Sequence, residues 1–154
     1  MCYDIFVSSI SELIMNVIFF LKPKVDLAYL DDQLTLRQAI EKMRHYGFSA
    51  VPVIDSSGKY VGTLSEGDLL REVLKHESIK DKSVKGIKVK DIIGGRENKP
   101  VNINAAIDDL FLRATEQNFI PVIDDRGIFI GIVTRSDVLK YYYYEEFLKS
   151  EERT

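Results

Sequence analysis

The chain has 154 residues, 45% of them hydrophobic and 29% charged, which suits one ordinary domain or two small units sharing a core and excludes wholesale disorder. A formal net charge of −3 lacks the basic excess that nucleic-acid binding ordinarily shows. The single cysteine, Cys2, excludes an intrachain disulfide and a thiolate metal cluster, and accords with a reducing cytoplasm.

From Ile5 to Leu21 the chain is largely apolar but interrupted by Ser8, Ser9, Ser11, Glu12 and Asn16. The start Met-Cys-Tyr-Asp carries no basic n-region, and Glu12 sits mid-stretch, so neither a secretory signal nor a membrane anchor is expected. Met15 is a second candidate start, after which Val17 to Leu21 would pack on the core. Leu27 to Leu30 reads as a strand ending at the Asp31-Asp32 turn. Leu34, Leu36, Ile40 and Met43 then recur at helical spacing among polar residues, an amphipathic helix. Ala50 to Ile54 is a continuous apolar run, a buried strand, with Ser56-Ser57-Gly58 as a hairpin turn and Tyr60 to Leu64 as the returning strand. Ser65 opens a second helix through Leu69, Leu70, Val73 and Leu74.

Lys75 to Lys99 is polar and lysine-rich, with a short amphipathic turn at Val89 to Ile93 and a break at Gly94-Gly95; it reads as a solvated connector. The earlier order then returns. A strand is expected near Val101 to Ile103, a helix from Ala105 to Gln117, strands Ile120 to Ile123 and Ile128 to Val133 around an Asp125-Arg126-Gly127 turn, and a helix from Thr134. The segments beginning at Pro52 and Pro121 align without gaps at an offset of 69. Upstream, a two-residue slip sets Leu36, Ala39 and Met43 against Ile107, Leu110 and Ala114, and Gly47-Phe48 against Asn118-Phe119. The chain is therefore a duplication of a β-α-β-β-α unit of about 50 residues.

Nucleotide-cradling, nucleophile-elbow and zinc-helix motifs are all missing from the sequence. His45 and His76 fall at or near helix ends without a partner at ligand spacing, and read as surface residues. The acid pairs Asp31-Asp32, Asp108-Asp109 and Asp124-Asp125 read as turn and first-turn acids. What recurs is a strand-to-helix corner: Gly62-Thr63-Leu64-Ser65-Glu66-Gly67-Asp68, and Gly131-Ile132-Val133-Thr134-Arg135-Ser136-Asp137. Hydroxyl and acid at this spacing can simply cap a helix. The same geometry also offers a helix end and a hydroxyl to a phosphate, and a carboxylate to ribose hydroxyls. The two uses are compatible.

With its G-h-h-[ST]-x-x-D-h-h corner and h-P-V-h-D strand occurring twice in order, the sequence resembles a CBS domain, and the tandem resembles a Bateman module, from about Lys22 to Tyr141. The resemblance implies an α/β fold of the α+β type, with two β-α-β-β-α repeats packed about a pseudo-twofold axis through their small sheets. On this reading residues 1–21 are an N-terminal apolar segment, 22–75 the first repeat, 76–87 the connector, 88–141 the second repeat and 142–154 the helix end and tail. It further implies two clefts that take an adenosine-containing ligand (AMP, ADP, ATP, S-adenosylmethionine or cyclic di-AMP), with no catalytic residue, no metal and no required cofactor. Asp68 and Asp137 would then hold ribose hydroxyls, and Ser65 and Thr134 would meet phosphate or ribose. Backbone around Ala50, Val51 and Pro52, and around Phe119, Ile120 and Pro121, would read the adenine edge, with Tyr29 and Asn102 facing the ligand from each unit's first strand. Glu66 sets a negative charge beside the first corner and Arg135 a positive one beside the second, which favours the second for phosphorylated ligands.

Tyr141 to Tyr144 occupy consecutive helical positions about 100° apart, so one core face cannot hide all four rings. A second copy of the chain is the expected cover, which agrees with the dimers implied by the resemblance. The expectation is a cytoplasmic regulatory sensor of an adenine nucleotide that signals to a downstream protein, with neither nucleic acid nor membrane as partner. Its rival is a structural dimerisation module whose corners are only caps.

Overall fold

The computed structural model describes residues 16–78, 80, 82–94 and 98–153. Cys2, the apolar stretch up to Met15 and Gly95 of the expected break lie outside the described residues. In chain order the elements are α1 (Val17–Phe20), β1 (Lys22–Pro23), β2 (Leu30–Asp31), α2 (Leu36–Tyr46), β3 (Ala50–Ile54), β4 (Tyr60–Ser65), α3 (Glu66–Leu74), α4 (Val89–Ile92), β5 (Val101–Asn102), α5 (Ile107–Glu116), β6 (Phe119–Ile123), β7 (Phe129–Thr134) and α6 (Arg135–Glu152). Single 3-10 turns lie at Lys24–Asp26 and Lys82–Val84.

Each repeat builds the same sheet from the same local chemistry. In the first, β2 pairs parallel to β3 and β3 antiparallel to β4; in the second, β5, β6 and β7 repeat this. Both hairpins close on an aspartate whose Oδ1 accepts two backbone N–H groups: Asp55 from Ser57 and Lys59, Asp124 from Arg126 and Ile128. Gly58 at φ 82° and Gly127 at φ 81° supply the left-handed turn residue that L side chains resist. The helices start on hydroxyl caps at Thr35, Ser65 and Thr134, whereas α5 follows Ala106 without a side-chain cap.

The alignment slip falls elsewhere than expected. Leu36, Ala39 and Met43 do match Ile107, Leu110 and Ala114 on the core faces of α2 and α5. But Ala50 pairs with Ser65 as Phe119 pairs with Thr134, so Phe119 corresponds to Ala50 and not to Phe48, which is an exposed loop residue. Gly47, in the left-handed conformation, ends α2 and leaves a longer loop than the extended Gln117 that ends α5.

The repeats exchange their leading helices. Val17 of α1 and Val89 of α4 are both fully buried, each in the core of the repeat it does not precede. Val89 donates its N–H to the Leu34 carbonyl at 2.8 Å and joins Leu36, Met43, Val51 and Leu64. Val17 and Phe20 join Leu110, Ile120, Val133 and Val138, and β1 pairs antiparallel with β7 so that the second sheet has four strands and the first three. Burying these apolar faces across the seam ties the units together, since neither core is complete without its neighbour's leader.

The hairpin tips also meet across the seam. Tyr60 donates its N–H to the Gly127 carbonyl at 3.2 Å, and Phe129 to the Gly58 carbonyl at 2.9 Å, a reciprocal pair related by the 69-residue offset. The rings of Tyr60 and Phe129 lie 6.3 Å apart and Phe129 is almost wholly buried. The two repeats therefore face each other about a pseudo-twofold axis.

Candidate functional site: two unequal corners on the seam

Alternation along the strands decides which predicted residues reach the seam. Ala50 lies opposite Ser65 and Pro52 opposite Thr63, so these four share a sheet face, while Val51 and Leu64 turn into the first core. In the second repeat Phe119 lies opposite Thr134 and Pro121 opposite Ile132, while Ile120 and Val133 turn into the second core. Val51 and Ile120 thus have only backbone to offer a ligand.

The first corner is closed. Ser65 N–H and Ser65 Oγ both donate to Asp68 Oδ2, at 2.9 and 2.7 Å, and Asp68 N–H returns to Ser65 Oγ at 3.1 Å. Arg71, one turn on, places Nη2 2.5 Å from Asp68 Oδ1, and the Asp68 side chain is only 3% exposed. Glu66 is exposed at the start of α3 as expected, but Arg71 is a cation at this corner that the sequence reading did not count.

The second corner is open. Thr134 Oγ donates to Asp137 Oδ2 at 2.7 Å and accepts from Asp137 N–H at 3.2 Å. The second donor to Oδ2 is the Lys22 ammonium on β1, 3.3 Å away, where the first corner uses the N–H of Ser65. The Asp137 side chain is 28% exposed and that of Lys22 51%. Burial pushes the Asp137 carboxyl up, but the Thr134 hydroxyl and the Lys22 and Lys140 ammonium groups outweigh it and hold the carboxyl below its ordinary value. Arg135 is partly committed, its Nε donating to the Ala114 carbonyl at 2.7 Å near the end of α5.

Other predicted positions need correction. Leu30 pairs with Val53 and Val101 with Val122, so Asn102 corresponds to Asp31, and Tyr29 precedes its strand and corresponds to Pro100. Asn102 is turned to the hairpin loop, its Nδ2 donating to Asp125 Oδ1 at 2.8 Å. Tyr29 lies on the seam, its ring 6.5 Å from that of Phe129 and 4.8 Å from Lys24 Nζ. His45 is exposed, but His76 is not a plain surface residue: its Nε2 lies 3.3 Å from Glu72 Oε1 and the ring is largely covered.

A cavity of about 360 Å³ opens beside the first sheet, lined by Tyr60, Val61, Gly62, Thr63, Ile93 and Pro100 among others. Tyr60 spans it, its hydroxyl donating to the Asn98 carbonyl at 2.7 Å and lying 2.9 Å from Thr63 Oγ1. Burial pushes this phenol up to about 12, with the Thr63 contact opposing. Thr63 shares its strand face with Ser65, so the cavity and the first corner lie along one side of β4. Sequence reasoning missed Lys22, Thr63, Tyr60 and Arg71; of these only Arg71 left a local signal, a basic residue three positions after the corner acid that Lys140 repeats.

Two β-α-β-β-α repeats with exchanged leaders and twin capped corners define a tandem two-repeat module. The chain belongs to the CBS domain family, whose profile matches residues 19–75 and 89–144. It is 31% identical to the inosine-5'-monophosphate dehydrogenase of Methanocaldococcus jannaschii over 112 residues, 73% of this chain and 21% of that protein. The chain spans about a fifth of the length of the curated relatives it matches first. It superposes on CbpB in complex with c-di-AMP with a TM-score of 0.82 and 27% identity, covering 97% of this chain and 99% of that one. On CBSX2 in complex with AMP the TM-score is 0.67 with 25% identity, covering 85% and 98%.

Proposed function

We propose that this chain is a regulatory module that binds an adenine nucleotide (AMP, ADP, ATP or cyclic di-AMP) between its two CBS repeats and does no chemistry on it. The observation that carries the reading is the second corner, where a helix N-terminus, the Thr134 hydroxyl and the accessible Asp137 carboxylate stand together beside Lys22. Asp137 accepts from ribose hydroxyls, Thr134 and the helix end meet phosphate, and Phe119 and Pro121 floor the base. The likeness to CbpB bound to c-di-AMP and to CBSX2 bound to AMP supports the ligand class.

In this reading the ligand shifts the angle between repeats or the packing of a homodimer, and a downstream protein in the cytoplasm responds. Support for the dimer comes from exposed apolar residues at equivalent places on the two helical faces, Leu70 with Leu139 and Leu74 with Tyr143. The sealed Asp68 favours the second reading, a purely structural cap, at the first corner alone. Thermal shift against AMP, ADP, ATP, S-adenosylmethionine, NADH and cyclic di-AMP, with GTP as control, tests the proposal. A ligand at 100 times its Kd adds about 2.7 kcal/mol, a shift of several degrees. An adenine-specific rise is the expected result, and a flat panel would leave the dimerisation module as the reading that stands.

A further inference from the structure

Lys22 reaches the second corner from outside its repeat. It sits on β1, opposite Ile132 of β7, and Gly131 makes the approach possible: a Cβ there would collide with the Lys22 carbonyl oxygen. The strand pairing fixes where the lysine stem leaves the backbone, and the half-exposed ammonium projects to Asp137 Oδ2. The exchanged leaders align Val17 with Val89, which makes Gly94 the counterpart of Lys22, so that position brings no side-chain amine to the first corner. There the cation is Arg71 of the corner's own helix, and it is spent on a buried carboxylate.

The second corner therefore brings Lys22 to an accessible carboxylate, with Lys140 one turn further along α6. An ammonium has three donors, so Lys22 can keep Asp137 oriented toward a ribose while a further N–H meets an anion. An excess of positive charge beside a helix N-terminus suits a phosphate and opposes a cationic sulfonium. Resting on the reading given above, we infer that Lys22 is the residue through which the second cleft selects phosphate-bearing adenine nucleotides over the unphosphorylated nucleoside.

The test is calorimetric titration of the full chain and of Lys22→Met and Lys22→Arg with AMP, cyclic di-AMP and adenosine. Met keeps the apolar stem, and the exposed amine carries no packing, so the fold is retained and an unchanged melting temperature checks this. The parent is expected to prefer a phosphate-bearing ligand to adenosine by about tenfold or more, the scale of one charged contact. Lys22→Met should cut that ratio to within about threefold with little change for adenosine, and should flatten the salt dependence of phosphate-ligand binding. Lys22→Arg should keep the preference. A ratio unchanged in Lys22→Met overturns the inference while leaving nucleotide binding in place; a parent that binds none of the three probes, nor ADP and ATP titrated alongside them, overturns the functional reading and this inference with it.

Discussion

Asp68 and Asp137 occupy the same corner of the two repeats, yet Arg71 seals the first at 3% side-chain exposure while Lys22 faces the second at 28%. Duplication has thus kept the cap and divided its use. At the first corner the carboxylate is part of a closed hydrogen-bond set that rigidifies the start of α3. At the second it remains accessible to solvent.

Alanine replacement at the two aspartates should separate stability from binding. Asp68→Ala removes a buried capping box and leaves Arg71 and the Ser65 N–H without their acceptor, a loss of about 1–3 kcal/mol. Asp137→Ala should lower stability by less than about 1 kcal/mol, because its ion pair is largely solvated, and should abolish nucleotide binding. Denaturant melts with calorimetric titration read both quantities. Binding at the second corner alone also predicts one ligand per chain.

Gly131→Ala tests the exchanged strand. The added methyl meets the Lys22 carbonyl as well as the Leu21 side chain, and the backbone clash cannot be relieved by a rotamer, so β1 must move away from β7 at a loss of about 1–3 kcal/mol. Hydrogen exchange at Lys22 and at Ile132 should rise ahead of that in the first repeat. Unchanged protection there would mean that the pairing of β1 contributes little.

Alkaline titration probes Tyr60. Its phenol is raised from 10.0 to about 12 in the folded chain, so the folded state holds this proton more tightly. The associated stability is fully present below pH 10 and is lost as pH rises from 10 through about 12, on the order of 2 kcal/mol. Tyr60→Phe should lose about 1 kcal/mol near neutrality, with the Asn98 carbonyl left unpaired, and should show a shallower alkaline decline than the parent. Melting temperatures across this pH range provide the comparison.

The proposed dimer is tested at Leu139 and Tyr143, exposed on α6. Replacing both with serine should halve the mass seen by light scattering and leave the melting transition of the monomer cooperative. Truncation before Tyr141 is a poorer probe, because that ring packs on Phe20 at 5.4 Å within the second core. Beyond it Tyr142 lies against Phe111 at 4.8 Å, and Tyr143 and Tyr144 are exposed, which is the division that four consecutive helical positions required.

The duplication, the order of strands and helices, the Asp55 and Asp124 turns and the Ser65 and Thr134 caps were all legible in the sequence. Each depends on residues within a few positions of one another: an alternating strand, an aspartate beside a glycine, a hydroxyl three residues before an acid. The offset of 69 between the hairpins was legible for the same reason, since it rests on motif order alone. Only the tertiary structure decided that α1 and α4 change places, that Tyr60 meets Phe129, and that Lys22 rather than Arg135 stands at Asp137. Those contacts join residues tens to more than a hundred positions apart, where no local spacing constrains the partner. The exchange is made by burying Val17 and Val89 in each other's repeats, and the two corners differ because one leader carries Lys22 where the other has Gly94, while Arg71 seals Asp68.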